Sequence, residues 1–442
     1  MSSVIATAAA RVTPPLRIGL VGGGVVGGGT YELLMSQGSK ESSSNRPCVV
    51  TKLCVRDATK KRDFNIDTTL TKVVTDIESI INDDSIDMVV EVMGGTGLAK
   101  TVVESALKAK KSVVTANKAL LAEHLDELHQ LAIENKTVLA YEAAVCGGIP
   151  IIQTLHSCYS GDVITEIMGI CNGTTNYMLG KMEEGADYNQ VLKEAQDLGF
   201  AESDPTADVE GHDVRAKICL LAKLAFGTTV PVESVPCRGI TTISSVDFEY
   251  AKILGCTIKL VGVAKRLPKD GQFDGPLSVY VAPHVVPLKH LLASARGCGN
   301  AIAVTSANLG TCSYTGPGAG RFPTANSVVA DILRVARGQA LMDPFPIHSQ
   351  LDLDVNYICP HYIRIPFSDS LGIIRRVGEL AEDHGISIHS ILQNPILDKM
   401  AADFCITTDE CHSSNIESFC HAVSMEPFCR MPPLFMPLLM DL

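Results

Sequence analysis

The chain has little positive charge and no long apolar run. Its 442 residues carry 37 Lys and Arg against 49 Asp and Glu, a formal net charge of −12 at pH 7. This balance argues against nucleic-acid binding, which needs a basic face. No apolar stretch approaches the roughly 20 residues that span a bilayer. We therefore expect a soluble protein with small-molecule partners, and neither a nucleic acid nor a membrane.

Signals for export and for zinc are also missing. The fifteen cysteines are scattered, and those between residues 405 and 429, beside His412 and His421, lack the close pairing of zinc ligands. We expect them to be core or surface thiols. Residues 1–15 lack the apolar segment of a secretory signal, which favours a frayed tail over a transit-like leader. These features predict a protein of the reducing cytoplasm.

The length and the hydrophobic fraction of 46% allow two or three domains, each with its own core. The predicted division is a flexible tail (1–15), a nucleotide-binding domain (16–145), a substrate-binding and catalytic domain (146–340), a linker (341–358) and a regulatory domain (359–442).

A glycine-rich turn follows the first predicted strand, Leu16–Val21. Gly22, Gly24 and Gly27 fit the GxGxxG spacing, in which the glycines permit a tight turn, close approach to a pyrophosphate, and packing of helix on strand. A helix over 28–36 would then offer its N-terminal N–H groups to the phosphates. A merely flexible loop is the alternative, but the strand before and the helix after favour dinucleotide binding.

The second predicted strand, 48–55, follows a polar insertion at 37–46 and ends at Arg56 and Asp57. A basic residue here suits the 2′-phosphate of NADP, whereas an acidic one suits the ribose of NAD. Arg56 favours NADP, and Asp57 leaves NAD open. Together with Lys60, Lys61 and Arg62, the cluster could instead be a solvated face.

Strands and helices then alternate. Strands at 85–93, 112–115 and 137–141 are separated by helices at 99–109 and 119–134, which predicts a parallel, doubly wound sheet. Lys118 and Glu142 follow strands, so they should lie at the carboxyl edge of the sheet.

The middle of the chain predicts a second α/β domain of mixed strand order, with a sheet open on one side. Its predicted elements are helices at 149–159 and 324–336, strands at 163–169, 251–264 and 277–282, a polar turn at 172–176 and a glycine turn at 316–320. The segment 199–217 (GFAESDPTADVEGHDVRAK) is rich in carboxylates. Asp213 lies four residues before Lys217, which places both on one helical face and lets the acid hold the lysine, although the two could instead be an ordinary surface pair.

The last 80 residues predict the element order β-α-β-β-α-β, which is that of a ferredoxin-like unit. The strands are predicted at 362–367, 386–392, 402–407 and 433–439, and the helices at 371–384 and 415–423. The apolar side chains expected to face inward from the first helix are Ile373, Ile374, Val377, Leu380 and Ala381.

Six blocks in this order resemble the homoserine dehydrogenase family, over a match that runs from about residue 16 to the C-terminus. They are IGLVGGGVVG (18–27), VVTANKALLA (113–122), YEAAVCGGIPII (141–152), GICNGTTNYML (169–179), GFAESDPTADVEGHDVRAK (199–217) and GPGAGRFPTANSVVAD (316–331).

The resemblance implies a Rossmann-type domain and reversible reduction of L-aspartate 4-semialdehyde to L-homoserine with NADPH or NADH, on the route to threonine, methionine and isoleucine. It implies that Lys217 donates the proton, and that Asp213 and Glu202 bind the substrate's amino group or orient the lysine. Lys118 matches the family's second lysine, near the nicotinamide and the substrate. Hydride transfer to an aldehyde leaves an alkoxide that needs such a donor.

The other site residues are also implied by the resemblance. Substrate contacts are expected from Gly199, Asn172, Thr174 and Thr175, although the 172–176 stretch could instead cap a helix. Cofactor contacts are expected from Gly22, Gly24, Val25, Val26, Gly27, Arg56, Lys118, Gly318 and Gly320. A structural Na+ or another monovalent cation is expected at Glu142, Val145, Gly147 and Ile149, although Glu142 could instead be a charge at the end of a strand.

The C-terminal unit resembles an ACT domain, with residues 368–372 at the loop where such domains bind effectors, and threonine is the expected effector. The resemblance also implies a homodimer or homotetramer. No aspartokinase block precedes the nucleotide fold, so we expect a monofunctional enzyme. The alternatives are another amino-acid dehydrogenase of the same architecture and a non-catalytic amino-acid sensor.

Overall fold

The computed structural model describes residues 14–37, 46–269, 275–340, 352–396 and 398–439. Most of the predicted tail, the core of the polar insertion and residues 341–351 of the predicted linker lie outside these ranges. The chain forms two compact units, Met1–Ile152 with Ala319–Pro346, and Gln153–Gly318 with Ile347–Leu442. The three-domain division stays a prediction.

The strands of the described residues are β1 (Leu16–Val21), β2 (Cys48–Cys54), β3 (Lys72–Val74), β4 (Met88–Glu91), β5 (Ser112–Thr115), β6 (Leu139–Ala140), β7 (Ile164–Ile170), β8 (Cys256–Arg266), β9 (Leu277–Pro287), β10 (Gly299–Ser306), β11 (Gly310–Pro317), β12 (Ile358–Cys359), β13 (His361–Phe367), β14 (Ile388–Gln393), β15 (Ala402–Thr408), β16 (Cys411–His412) and β17 (Leu434–Pro437).

The α-helices of the same ranges are α1 (Val25–Gln37), α2 (Glu78–Ile81), α3 (Gly97–Lys108), α4 (Lys118–Glu134), α5 (Ile151–Cys158), α6 (Gly173–Glu183), α7 (Tyr188–Asp197), α8 (Thr206–Val209), α9 (His212–Phe226), α10 (Ser245–Ile253), α11 (Arg321–Ala336), α12 (Ile373–Asp383) and α13 (Ser413–Ser424).

The first unit contains a six-stranded sheet in the order β3-β2-β1-β4-β5-β6, and every recorded pair is parallel. This is the 3-2-1-4-5-6 order of a doubly wound Rossmann-like sheet, which confirms the prediction of a parallel sheet. All four residues of β4 are buried, as expected when helices cover both faces. The carboxyl ends of β1, β4 and β5 therefore lie side by side.

The second unit contains a five-stranded sheet in the order β11-β10-β7-β8-β9, and its pairs are antiparallel. The prediction of a strand from residue 251 was wrong at its start, because α10 extends to Ile253 before β8 begins. Ser244 and Asp247 form a capping box at the start of α10, a signal that the apolar pattern concealed. Helix α7 and the hairpin of β10 and β11 were not predicted.

The C-terminal part of the second unit has the predicted β-α-β-β-α-β order, and its sheet runs β14-β15-β13-β17. Of the predicted inward side chains of α12, only Ile374 is wrong, since it is 46% exposed. It lies one residue, or about 100°, from Ile373, whereas the buried positions repeat at helical spacing. Buried Asp247 accepts hydrogen bonds from Tyr362 and Arg364, which joins this part to α10.

Candidate active site

The glycine turn after β1 is shaped by close backbone contacts in the first unit. A Cβ on Gly27 would lie 2.0 Å from the Gly22 carbonyl oxygen, and a Cβ on Gly22 would lie 2.6 Å from the Val92 carbonyl oxygen. At Gly24 no atom of a described residue lies within 4 Å of the Cβ position. Gly27 and Gly22 therefore permit the fold of the turn, while Gly24 leaves open space beside the first turn of α1, where Val25 is exposed.

Arg56 is exposed just after β2, and the side chain of the next residue, Asp57, takes part in a local turn. The Asp57 carboxylate accepts hydrogen bonds from the Thr59 N–H (2.8 Å) and hydroxyl (2.7 Å), and these bonds lower the pKa of Asp57. Arg62 donates to the Asp57 and Lys60 carbonyl oxygens. Arg56 is thus exposed at the end of β2, while the Asp57 carboxylate is engaged by Thr59.

The start of α4 is fixed by a buried network that sequence reasoning missed. Glu91, at the end of β4 and fully buried, accepts a hydrogen bond from the Thr115 hydroxyl at 2.6 Å. The Thr115 hydroxyl oxygen accepts from the Asn117 N–H, and the Asn117 side chain caps α4 and donates to the Gly95 carbonyl oxygen. This network positions half-buried Lys118, the first residue of α4. The sequence signal for this network was Glu91, an acid within the apolar strand β4.

The glycine turn before α11 is divided between the two units. Gly318 belongs to the second unit, where a Cβ would lie 2.0 Å from the Asn300 amide nitrogen. Gly320 belongs to the first unit and precedes Arg321, which bonds to Glu32 of α1 (2.9 Å) and to Asp63. Sequence reasoning did not identify Arg321, because its acidic partners are more than 250 residues distant.

Lys217 and Asp213 form the predicted pair on α9, in the second unit. The Lys217 Nζ lies 2.8 Å from Asp213 Oδ2 and donates a second hydrogen bond to the Cys171 carbonyl oxygen at 2.5 Å. Both side chains are about nine-tenths buried. The turn at Gly211, whose φ is +81°, connects α8 to α9 and brings Asp208 into the same cluster.

The acidic residues of segment 199–217 make different contacts. Asp208 and Asp213 both accept hydrogen bonds from the Asn172 amide, at 2.6 and 2.9 Å. Asp204 instead accepts from Thr206 at the start of α8, and these bonds lower its pKa. Glu202 is exposed, and its carbonyl oxygen accepts from Gln196. The structure therefore brings Asp208 into the lysine cluster, although sequence reasoning gave it no role.

The polar stretch at 172–176 is largely helical, so the prediction of a turn was wrong. Asn172 caps α6, and Thr175 donates to it through both its N–H (2.8 Å) and its hydroxyl (3.0 Å). The Thr174 hydroxyl donates to the Phe200 carbonyl oxygen. Gly199 lies just beyond the end of α7, the position where glycine commonly terminates a helix.

Lys259 is a buried lysine that anchors α6 inside the second unit. Its Nζ donates to the Asn176 side chain (2.9 Å) and to the Ala295 carbonyl oxygen (3.0 Å). Burial, with a smaller contribution from the Arg296 charge, lowers the pKa of Lys259 to about 8. The ammonium is therefore less stable here than in an unfolded chain, where the lysine pKa is about 10.4.

Between pH 8 and 10 the unfolded chain binds more protons at this position than the folded protein. We therefore expect the free energy of unfolding of the wild type, relative to Lys259→Met, to rise by roughly 1 kcal/mol per pH unit. Urea unfolding of both proteins from pH 7 to 10 measures this difference. Lys252→Met, at an exposed position of α10, is the control. A difference in the free energy of unfolding between the wild type and Lys259→Met that does not change with pH would contradict the expectation.

The loop after β6 contains the residues of the predicted cation site. Glu142 is buried, and its carboxylate accepts from the Ile152 N–H at 2.9 Å and lies 3.7 Å from the Arg334 guanidinium. The Gly147 carbonyl oxygen accepts from the Ser327 hydroxyl at 2.7 Å. Among the described residues, no group of three or more His, Cys, Asp or Glu could hold a metal ion.

The fifteen cysteines all lie in described residues, and none of them forms a disulfide bond. Burial raises the pKa of Cys405 to about 12 and also raises that of Cys411. Within the described part of the chain, we find no helix that is long and apolar enough to cross a bilayer.

Comparison with known proteins assigns both units to one group of enzymes. A family model described as homoserine dehydrogenase matches residues 150–333, and one described as homoserine dehydrogenase, NAD binding domain, matches residues 22–142. The homoserine dehydrogenase of Bacillus subtilis (strain 168) is 38% identical over 414 residues, covering 91% of this chain and 94% of the relative.

Solved structures agree with these sequence matches. The crystal structure of a homoserine dehydrogenase from Thiobacillus denitrificans has a TM-score of 0.86 and 30% identity, and the match covers 97% of this chain and 98% of that one. A hyperthermophilic archaeal homoserine dehydrogenase in complex with NADPH shares the fold over 73% of this chain, with a TM-score of 0.58 and 24% identity.

Proposed function

This chain belongs to the homoserine dehydrogenase family, and on that basis we propose that Lys217 is the proton donor of its reaction. The enzyme is an oxidoreductase that uses a nicotinamide cofactor and interconverts L-aspartate 4-semialdehyde and L-homoserine, in the synthesis of threonine, methionine and isoleucine. The bound nicotinamide supplies the hydride. The carbonyl oxygen of the substrate then needs a proton, which a buried ammonium beside it can provide.

The observation that carries this proposal is the double anchoring of the Lys217 Nζ. Asp213 and the Cys171 carbonyl oxygen both accept hydrogen bonds from the Lys217 ammonium, so the position of the Nζ is fixed. A held ammonium can both stabilise the developing alkoxide and transfer a proton to it. Replacing Lys217 by a residue that cannot donate a proton tests this role.

The remaining substrate contacts are part of the same proposal. Lys118, at the start of α4, is proposed to contact the substrate carbonyl and the nicotinamide. Exposed Glu202 and buried Asp213 carry the negative charge that would bind the amino group of the substrate. Gly199, Thr174 and Thr175 are proposed to line the pocket, and the Thr174 bond to the Phe200 carbonyl oxygen supports this by joining α6 to the segment after α7.

NADP is the proposed cofactor, with NAD as the alternative. Val25, Val26 and the open space at Gly24 are proposed to receive the pyrophosphate, and Gly320 to contact the cofactor from the turn before α11. The exposed Arg56 would bind the 2′-phosphate, while Asp57 is engaged by Thr59. The archaeal relative in complex with NADPH supports a nicotinamide cofactor in general.

Arg56→Ala is expected to raise the KM for NADPH about tenfold, the usual effect of losing one hydrogen bond to a charged group, while the KM for NADH changes little. Initial rates with aspartate semialdehyde and each cofactor measure this. Lys61→Ala, a neighbouring exposed lysine, is the matched control. Equal effects on NADPH and NADH would remove Arg56 from the phosphate site.

A monovalent cation such as Na+ is proposed at the loop after β6, where its role would be structural. Glu142 and the carbonyl oxygens of Val145, Gly147 and Ile149 would hold it, and an all-oxygen donor set suits a hard cation. Positive φ angles at Cys146 (51°) and Gly147 (47°) fold this loop back on itself, which supports the proposal.

The ferredoxin-like unit is proposed to be an ACT domain that binds threonine at the 368–372 loop. Ser368 and Asp369 in this loop donate backbone hydrogen bonds to Phe428 and Lys399, so the loop is held by its neighbours. Assembly into a homodimer or homotetramer and location in the cytoplasm remain predictions from the sequence.

Millimolar L-threonine is expected to inhibit the reaction, because an effector that binds one conformation shifts the population toward it. Activity measured against a threonine titration checks this, with D-threonine as the control ligand. Unchanged activity across the titration would remove threonine as the effector.

A further inference from the structure

We propose that Asn172 is a positioning residue, which holds Asp208 and Asp213 around Lys217 without contacting the substrate. This inference rests on the proposed role of Lys217 as proton donor. It differs from the expectation that Asn172 lines the substrate pocket.

The hydrogen-bonding capacity of the Asn172 side chain is fully used inside the protein. An amide has two N–H donors and an oxygen that accepts two hydrogen bonds. Here the nitrogen donates to Asp208 Oδ1 and Asp213 Oδ2, and the oxygen accepts from the N–H and the hydroxyl of Thr175. The side chain is also only 5% exposed. A substrate could bind this amide only by breaking one of these bonds.

The Cys171–Asn172 segment holds both members of the catalytic pair. The Cys171 carbonyl oxygen accepts from the Lys217 Nζ, and the next residue, Asn172, donates to Asp213. Both the Asn172 amide and Lys217 donate to Asp213 Oδ2. A lysine has a flexible four-carbon stem, so a donor at its tip has a fixed direction only when its acceptors are fixed.

The Cys171–Asn172 segment is itself anchored by several contacts of α6. Gly173 packs so closely on the Cys298 carbonyl oxygen that a Cβ would lie 2.7 Å from it. Further along α6, Asn176 donates to the Gly299 carbonyl oxygen and accepts from Lys259. The N-terminus of α6 therefore cannot shift easily to compensate for a change at Asn172.

The Asn172 amide also lies between two carboxylates. Its N–H groups approach the Asp208 and Asp213 oxygens to 2.6 and 2.9 Å, so both acids converge on one neutral donor. Hydrogen bonds to carboxylates are among the stronger ones in proteins. Without these donors the two acids would repel each other, and Asp213 would lose one of the contacts that fix its orientation toward Lys217.

Substitutions of Asn172 by Ser, Asp and Ala, with one control at another residue, separate this role from simple helix capping. Serine and aspartate cap helices about as well as asparagine, whereas alanine does not. Asn172→Ser keeps a capping oxygen and removes the amide donors. Asn172→Asp keeps the shape and the cap but places a third carboxylate beside Asp208 and Asp213. Asp187→Ala removes the cap of α7, which packs beside α6, and is the matched control for lost capping.

We expect Asn172→Ser to lower kcat about 100-fold, the effect of a small misplacement of a catalytic group, with the KM for aspartate semialdehyde nearly unchanged. Asn172→Asp should lower kcat further, although it retains the cap. Asn172→Ala should lower both kcat and thermal stability, whereas Asp187→Ala should lower thermal stability alone. Steady-state kinetics and thermal melting of the full chain measure these effects.

Two results would overturn the proposal. Wild-type kcat in Asn172→Ser would reduce Asn172 to a helix cap, and a raised KM with unchanged kcat would make it a substrate ligand. If Asn172→Asp does not fold, the serine variant alone decides. Full activity of Lys217→Ala would instead refute the proposed function, so the two failures are distinguishable.

Discussion

Lys217→Ala is expected to lower kcat by about two to four orders of magnitude, the usual contribution of a general acid. The side chain is buried, and its Nζ is held by Asp213 and by the Cys171 carbonyl oxygen, so alanine removes a proton donor whose position is fixed. NADPH binding should persist, because the glycine turn lies in the other unit of the chain. The measurements are NADPH oxidation with aspartate semialdehyde and calorimetric titration of NADPH.

Two further lysine variants define what the first result means. Lys217→Arg retains a positive charge, but a guanidinium does not release its proton at neutral pH, so activity should stay low. Lys223→Ala removes another lysine of α9, whose Nζ donates to the Thr229 hydroxyl, and should leave kcat unchanged. Recovery in Lys217→Arg would show that charge alone suffices, and full activity in Lys217→Ala would end the assignment.

Gly27→Ala is the second substitution with a large expected effect. The added Cβ would lie 2.0 Å from the Gly22 carbonyl oxygen and 3.2 Å from the Val92 side chain, so the start of α1 must move away from β1. Overpacking of this kind costs up to about 3 kcal/mol, and more where the obstacle is backbone. We expect a lower free energy of unfolding in urea and, because the turn is displaced, loss of NADPH binding.

Gly24→Ala should have the opposite signature. In the described part of the chain no atom lies within 4 Å of its Cβ position, so the free energy of unfolding should change by less than about 0.5 kcal/mol. A methyl group at this position would nevertheless occupy the space through which a pyrophosphate approaches the backbone. Weakened NADPH binding with unchanged stability is therefore expected. Normal binding by Gly24→Ala would place the cofactor elsewhere.

Sequence reasoning found the elements that are determined by nearby residues. The strand Leu16–Val21 is a short apolar run that a glycine turn ends, and it was predicted with its observed bounds. The Asp213–Lys217 pair follows from helical spacing alone. Helix α10 was missed because the apolar residues from 251 onward favoured a strand, and the β10–β11 hairpin was missed because strands rich in Gly, Ala and Ser carry a weak apolar pattern.

The sequence by itself determined the parallel nucleotide-binding sheet, the ferredoxin-like unit, the family and the lysine with its carboxylate, because each depends on local periodicity, turn residues or motif order. Only the tertiary structure decided which acids serve that lysine. It brings Asp208 into the cluster through Asn172, leaves Glu202 exposed, and places buried Glu91 behind the start of α4. These contacts join residues 24 to 41 positions apart, and no local preference of the chain encodes such a distance.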